Sequence, residues 1–189
     1  MFAALLDTCV LWPSLQRDFL LSLAVENLYR PLWSGAILAE LEVHEARKLV
    51  RRGELIESAQ ARAGRLVSVM SDAFDDALVC GWEPLAGSFG LPDPDDEHVV
   101  AAAVIGGAGA IVTENRRHFP AEHLPTGLQV VGAAEFAANT CAVDPPRAVA
   151  AVAQLSLRHR NPPRSVDEVL HVLATRYKMH EAVELMFNA

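Results

Sequence analysis

Two short apolar runs that each end in polar side chains constrain the fold of this chain more than any other feature. Phe2–Leu6 is followed at once by Asp7, and Ala110–Thr113 is followed by Glu114 and Asn115. Apolar runs of four or five residues are typical of strands that are buried on both faces of a sheet. The sequence therefore predicts two buried strands with oxygen-bearing side chains at their carboxyl ends.

Helical periodicity fills most of the chain between these strands. Apolar spacing predicts four helices, over residues 15–27, Ser34–Arg52, Glu54–Met70 and from Asp95 or Asp96 to Ile105. Ser34 is the expected N-cap of its helix, because its hydroxyl can accept a hydrogen bond from a free amide. A third strand is expected over Leu128–Val131, and residues 79–91 are expected to be irregular, with at most one short strand. Strands that alternate with helices predict an α/β fold around a mainly parallel sheet.

The pattern changes after Asp144, where only helical sequence follows. Ser165 and Glu168 have the spacing of a capping box, which predicts a helix to about Arg176. We therefore divide the chain into an α/β domain of residues 1–140 and a C-terminal helical extension of residues 141–189. The apolar spacing of the extension leaves open whether it folds back onto the domain, forms a homodimer or binds a partner protein.

Composition and charge narrow the classes of function. The net charge of −8 argues against a nucleic-acid coat protein, because the field of the whole protein repels phosphates. Fourteen of the 16 basic residues are arginines, however, so local basic patches remain compatible with nucleic-acid binding. The three dispersed cysteines lack the spacing of a disulfide framework or a zinc site. The longest apolar stretch, Val99–Val112, is too short to span a bilayer, so we expect a cytoplasmic protein with no membrane partner.

A candidate site follows from the geometry of a parallel sheet. Ligands bind at the carboxyl ends of the strands, where Asp7 and Asn115 are predicted to lie. The acidic run from Asp93 to Glu97 opens the helix before the second strand, and Glu40 lies at the margin of the apolar face of its helix. Oxygen ligands favour Mg²⁺ or Mn²⁺ over zinc, and such ions support phosphodiester cleavage. The sequence therefore predicts a hard-cation site at this edge of the sheet.

Each of these acids also has a purely structural interpretation. Asp7 would cap the turn that follows it, and Asp95 or Asp96 would cap the next helix. Glu40 would be a solvated charge on a helix surface. Only the joint placement of the acids on one sheet edge favours the functional interpretation.

At these positions the sequence resembles the PIN-domain family over roughly residues 2–135. Four blocks carry the resemblance in order and spacing: LLDTCVL from Leu5, WSGAILAEL from Trp33, LPDPDDEHVVAAA from Leu91 and IVTENRRHFP from Ile111. The tail around Arg160-Asn161-Pro162-Pro163 resembles the C-terminal extension of one bacterial subgroup. The resemblance implies a three-layer α/β/α sandwich and a metal-dependent ribonuclease, most often the VapC-type toxin of a bacterial toxin–antitoxin pair.

The resemblance also implies roles for individual residues. The family's ligand positions carry over as Asp7, Glu40 and Asp96, which would hold Mg²⁺ or Mn²⁺. Asn115 stands where many members have a fourth aspartate, so it keeps an oxygen ligand but removes a charge. Asp96 is preferred over its acidic neighbours because the following alanines then have the family's spacing; these neighbours are Asp93, Asp95 and Glu97. Three hydroxyl residues match positions that orient the ligands or a phosphate: Thr8, Ser34 and Thr113.

RNA is the implied substrate and a small cognate antitoxin the implied partner. Arg116 and Arg117 follow Asn115 and are expected to contact the RNA backbone. A second basic cluster, Arg47–Arg52, has an equally good interpretation as a solvated helix face. Two other functions stay open: a catalytically weak RNA-binding or assembly module, which the Asn115 departure suggests, and a structure-specific DNA nuclease.

Overall fold

A computed structural model describes residues 1–158 and 162–188 and shows a five-stranded sheet with every strand pair parallel. The strands are β1 (Ala3–Leu6), β2 (Arg30–Ser34), β3 (Leu78–Val79), β4 (Ala110–Val112) and β5 (Gln129–Val131). Their order across the sheet is β3-β2-β1-β4-β5. The two apolar runs form neighbouring strands in the interior of the sheet, β1 and β4, and every residue of these two strands is buried. Phe2, predicted as part of the first strand, lies outside it and is exposed.

The predicted helices are present with shifts at their ends, whereas the sequence did not predict the short helix Thr8–Leu11. They are α1 (Thr8–Leu11), α2 (Ser14–Val25), α3 (Gly35–Arg51), α4 (Ile56–Ala73), α5 (Glu97–Gly106), α6 (Ala133–Val143), α7 (Pro145–Arg158), α8 (Val166–Tyr177) and α9 (His180–Phe187). The predicted capping box at Ser165 and Glu168 is present. Within residues 1–158 and 162–188, no helix is long and apolar enough to cross a membrane.

Strand β2 is the main element that the sequence reasoning missed. Its five residues include Arg30 and Pro31, which interrupt the apolar run that is typical of a buried strand. Arg30 donates its N–H to the Phe2 carbonyl, just before β1, and Trp33 donates its N–H to the Ala77 carbonyl, just before β3. Because strand amides alternate in direction, the missing N–H of Pro31 would point to the β3 side, where pairing begins only at Trp33. The proline therefore costs the sheet no hydrogen bond.

The strand order reverses at β1, and this reversal places the site. From β1 the chain moves outward to β2 and β3, then returns through α5 to β4 on the opposite side of β1. Right-handed crossovers in opposite directions put their helices on opposite faces of the sheet, which produces the expected α/β/α sandwich. Connections that leave β1 and β4 in opposite directions open a crevice at their carboxyl ends.

The C-terminal helices fold back onto the α/β domain. Helix α7 packs against α2, and α9 packs against α6. Leu155, Leu173 and Val183 are buried in the same apolar cluster as the central strands. The division at residue 140 remains a prediction, and α6 runs across it. Arg160 and Asn161 of the tail motif lie outside the described residues.

Ser34 caps α3, as the sequence predicts: its buried Oγ accepts a hydrogen bond of 3.2 Å from the Ile37 N–H. We expect Ser34→Ala to lower the free energy of unfolding by about 1–2 kcal/mol, because an N-cap is lost at a buried position. Urea denaturation measures this change. Ser68→Ala, at an exposed position within α4, is the matched control and should change stability by less than about 0.5 kcal/mol. Equal effects of the two substitutions would contradict the assigned role.

Candidate metal centre

A cavity of about 580 Å³ opens at the carboxyl edge of the sheet, where β1 and β4 diverge. Its wall comes from the ends of these strands, from α1 and α3, and from the start of α5. The lining residues are Asp7, Thr8, Cys9, Trp12, Pro13, Glu40, His44, Arg51, Asp96 and Asn115. The fold therefore brings together all four side chains for which the sequence reasoning predicted a ligand role.

Asp7 is the buried carboxylate at the bottom of the site. Its Oδ2 accepts a 2.6 Å hydrogen bond from the Thr113 hydroxyl and a 3.1 Å contact from the Cys9 thiol. Both hydrogen bonds go to Oδ2, so within the described residues Oδ1 has no hydrogen-bond partner. The side chain makes no capping bond to α1, so the interpretation of Asp7 as a helix cap is wrong.

The Cys9 thiol also belongs to this group. It lies 3.3 Å from the Thr113 hydroxyl and accepts a 3.2 Å hydrogen bond from the Glu114 N–H. Burial, and then the negative charge of Asp7, raise the pKa of Cys9 to about 12. The thiol therefore stays protonated at neutral pH and donates to the carboxylate.

Glu40 faces the cavity from α3 and is 45% exposed. The Thr8 hydroxyl donates to its Oε2 at 2.7 Å, and His98 Nε2 lies 3.2 Å from its Oε1. The hydrogen bond with His98 is the main cause that lowers the pKa of Glu40; burial opposes it and the Thr8 hydroxyl supports it. Glu40 is therefore a held, ionised carboxylate rather than a free surface charge.

The structure separates the roles of the four neighbouring acids that begin α5. Asp93 caps the 3₁₀ turn Pro94–Asp96 by accepting from the Asp95 N–H at 3.1 Å, and Asp95 is exposed. Glu97 is buried and accepts hydrogen bonds from the backbone of the preceding loop. Only Asp96 of this run lines the cavity, and its side chain makes no capping bond to α5.

Glu97 organises the loop before the site. Its carboxylate accepts from the N–H groups of Gly87, Phe89 and Leu91 at 2.8–3.1 Å. Burial alone would raise the pKa of Glu97, but these backbone hydrogen bonds outweigh it and the pKa lies below its usual value. The charge of Glu97 is thus committed to the loop and is not offered to the cavity.

His118 is a further residue of the site, and the sequence did not predict its contact with the acids. Its Nδ1 lies 2.6 Å from Asp96 Oδ2 and 3.9 Å from Asp93 Oδ2. Burial raises the pKa of Asp96, and the hydrogen bond and charge of His118 oppose that shift. One ligand atom each from Asp93, Asp96 and His118 lie within 4.8 Å of one another, which is close enough to share a cation.

The hydroxyl and amide groups at the end of β4 complete the site. Thr113 is fully buried, donates to Asp7 and accepts from the Asn115 N–H at 3.0 Å. Asn115 itself is exposed at the mouth of the cavity. Ser34 does not line the cavity; its hydroxyl acts through α3, which carries Glu40. Thr8 and Thr113 contact carboxylates directly.

The basic residues near the site differ in their contacts. Arg116 pairs with Glu135 at 3.1 Å, and Arg117 contacts the His118 ring at 3.2 Å; both arginines are exposed. Lys48 is buried against Glu45 and Ser14, so it does not belong to an open RNA-binding face. Arg51 lines the cavity.

The donor set fits a hard divalent cation. Three carboxylates and one carboxamide face the same cavity, and their oxygens are the ligands preferred by Mg²⁺ and Mn²⁺. Their partners are hydroxyls and imidazoles that hold each carboxylate in place, an arrangement typical of metal ligands. Asp7 and Glu40 lie outside the tighter Asp93, Asp96 and His118 group.

Comparison with known families gives two matches that together cover most of the chain. A family model described as PIN domain matches residues 3–117, which is more than half of the chain. A second family model, described as VapC50 C-terminal domain, matches residues 133–186, which contain the C-terminal helices. No curated protein and no solved structure gives a significant match.

The Thr113 hydroxyl supports a stability prediction for this site. We expect Thr113→Val to lower the free energy of unfolding by about 1–3 kcal/mol, because it removes the hydroxyl that donates to the Asp7 carboxylate and accepts from the Asn115 N–H. Urea denaturation again measures the change. The matched control is Thr140→Val, a buried position in α6 whose hydroxyl only bonds back to the Phe136 carbonyl. A loss of stability no larger than that of the control would contradict the prediction.

Proposed function

The chain belongs to the PIN domain family, and from this premise we propose that it is a metal-dependent endoribonuclease that acts as the toxin of a VapC-type toxin–antitoxin pair. The observation that carries this proposal is the convergence of Asp7, Glu40, Asp96 and Asn115 on one cavity at the reversal point of the sheet. These residues come from four separate segments of the sequence, so their meeting requires the fold.

Mg²⁺ or Mn²⁺ would be held by Asp7, Glu40 and Asp96, with Asn115 as a neutral oxygen donor. When bound, such a metal lowers the pKa of water and polarises the scissile phosphate. Asp93 and His118 lie beside Asp96 and would help to hold the same cation. The protein supplies fixed ligands, so little reorganisation is needed as charge develops on the phosphate.

The neighbours of each carboxylate have positioning roles. Thr113 and Cys9 both donate to one oxygen of Asp7, which leaves the other oxygen available to the cavity. Thr8 and His98 hold the two oxygens of Glu40 from opposite elements, α1 and α5. His118 fixes Asp96 in the same manner. Each ligand is thus aimed by a partner that does not itself need to touch the substrate.

Arginines in and near the cavity would contact the phosphates of a bound RNA. Arg51 lies in the wall of the cavity, and Arg117 is exposed beside His118, the histidine that contacts Asp96. Arg116 would have to exchange Glu135 for a phosphate, since the two now form an exposed ion pair. Phosphate contacts of this kind position a strand without reading its sequence.

A cognate antitoxin would silence the enzyme by covering the acidic cavity. The three carboxylates attract a basic side chain, and the partly apolar wall with Trp12 and Pro13 accepts an apolar one. A short segment that carries both would occupy the place of metal and RNA together. We place this pair in the cytoplasm.

The alternative function is a catalytically weak module that binds RNA or assembles with other proteins. Asn115 favours it, because an amide replaces the charge that a fourth aspartate would bring to the metal site. A cleavage assay on RNA and DNA in the presence of Mg²⁺ or Mn²⁺ separates the enzyme from this module, and it also separates a ribonuclease from a DNA nuclease.

The ligand assignment predicts the effect of removing one charge at a time. Asp7→Asn and Asp96→Asn should each lower the rate of RNA cleavage by about 100-fold or more, since metal coordination supplies several kcal/mol of transition-state stabilisation. The readout is cleavage of pooled RNA with Mg²⁺ or Mn²⁺, with circular dichroism to check folding.

Asp75→Asn is the matched control, because Asp75 is an exposed aspartate away from the cavity and should keep full activity. Cleavage that persists unchanged in Asp7→Asn or Asp96→Asn would remove the assignment. Cleavage that is weak, metal-independent and equal in every variant would favour the binding module.

Restoring the missing carboxylate gives a second prediction. We expect Asn115→Asp to bind Mn²⁺ roughly several-fold to tenfold more tightly, because one more charged ligand joins the site. Isothermal titration calorimetry measures the affinity. Asn139→Asp adds the same charge at an exposed position on α6 and should leave the affinity unchanged. An equal gain in both variants would mean that only the net charge matters.

A further inference from the structure

A groove of about 700 Å³ lies next to the catalytic cavity and shares a wall with it. Trp12, Pro13 and Arg51 line both spaces, so the two are continuous. One side of the groove is formed by the start of α2 and the end of α3, and the other by Arg164 and α8 of the C-terminal extension. The extension therefore builds a surface that runs directly into the site.

Positive charge dominates this groove. Four arginines line it: Arg51, Arg52, Arg164 and Arg176. Lys48 also lines it, but its charge is taken up by Glu45. Among the residues that the structure describes, no aspartate or glutamate lines the groove and none of the four arginines has a carboxylate within 4.0 Å. In a protein of net charge −8, four arginines without a carboxylate partner among the described residues, all lining one groove, are a local concentration of positive charge rather than a consequence of composition.

Aromatic surfaces accompany the arginines. The Arg176 guanidinium lies 5.6 Å from the centre of the Tyr177 ring, and Trp12 stands at the junction with the catalytic cavity. Trp12 Nε1 is buried and has no hydrogen-bond partner within residues 1–158 and 162–188. Arginines that follow a phosphate backbone, with aromatic rings on which bases stack, are the two elements of single-strand nucleic-acid grooves.

We propose that this groove binds the backbone of single-stranded RNA on one side of the scissile phosphate, so that the C-terminal extension is part of the substrate-binding surface. The inference rests on the proposed ribonuclease function, because the groove matters for catalysis only if RNA occupies the adjoining cavity. An unpaired guanidinium neutralises a phosphate and releases its counterions, which drives binding in a salt-dependent manner. Arg52, at the end of α3, and Arg176, in α8, line the same groove from the two parts of the chain and would hold the same strand.

The test is direct binding in a cleavage-inactive background. The full chain carrying Asp7→Asn is titrated against a fluorescent single-stranded RNA of about 12 nucleotides, a length within the usual range of such grooves. Arg52→Gln and Arg176→Gln should each weaken binding by roughly threefold to tenfold. Each should also reduce the slope of log affinity against log salt by about 0.7. Arg176→Lys should keep most of the affinity, because it keeps the charge.

Arg65→Gln is the matched control, since Arg65 is an exposed arginine on α4 outside both spaces, and it should change the affinity by less than about twofold. Thermal unfolding of every variant checks that the fold is intact. Equal losses in Arg65→Gln and the groove variants, or no loss in any, would overturn the proposal.

An acidic protein segment is the competing occupant, and a fluorescent polyglutamate peptide provides the probe for it. The proposal would be overturned in favour of an acidic segment if peptide binding depended on Arg52 and Arg176 while RNA binding did not.

The outcome of this test can be told apart from the outcome for the proposed function. If the unmodified chain cuts no RNA but the groove variants lose affinity, the nuclease proposal fails and the RNA groove stands. If Asp7→Asn abolishes cleavage but the groove variants bind RNA as tightly as the unsubstituted groove does, only the groove proposal fails.

Discussion

The hydrogen bond between the Thr113 hydroxyl and the Asp7 carboxylate joins the ends of the two central strands, and the site depends on it. It forms because β1 and β4 are neighbours in register, which brings residues from distant parts of the chain to one sheet edge. It also lies where the crossover connections leave in opposite directions and open the crevice. One contact therefore ties the ends of the two strands together, orients a buried carboxylate and lies at the bottom of the cavity. The Cys9 thiol, held protonated by its raised pKa, adds a second donor to the same oxygen.

Charge in this protein has to be considered locally rather than as a total. The net charge of −8 argues against nucleic-acid binding when the molecule is viewed as a whole. The fold concentrates carboxylates in one cavity and, in the groove beside it, four arginines that have no carboxylate partner within residues 1–158 and 162–188. A divalent cation in the acidic cavity would invert the sign of its field, and the arginines already attract phosphate. The two surfaces together favour an anionic polymer on a protein that is acidic overall.

Much of the fold followed from local patterns in the sequence. Apolar runs predicted β1, β4 and β5, and helical spacing predicted most of the helices. A strand buried on both faces has a continuous apolar run, whereas a helix buried on one face has apolar residues every three or four positions. Strand β2 was missed because Arg30 and Pro31 interrupt its apolar run, and the proline is tolerated only through its position beside the short β3. Among the acids, the family resemblance preferred Asp96, but the local pattern of the sequence did not separate it from its neighbours. Their roles diverge through contacts with the backbone of the preceding loop and with His118, which no local pattern of side chains encodes.

The sequence by itself determined the alternation of strands and helices, the capping residues, and which segments carry carboxylates. These are local properties, set by the side chains within a few residues of each position. Only the tertiary structure decided which carboxylates meet, which histidines hold them, and that the C-terminal helices pack back to complete an arginine-lined groove beside the cavity. The physical reason is that these contacts join residues far apart in the chain, and strand order and helix packing alone bring them within hydrogen-bonding distance.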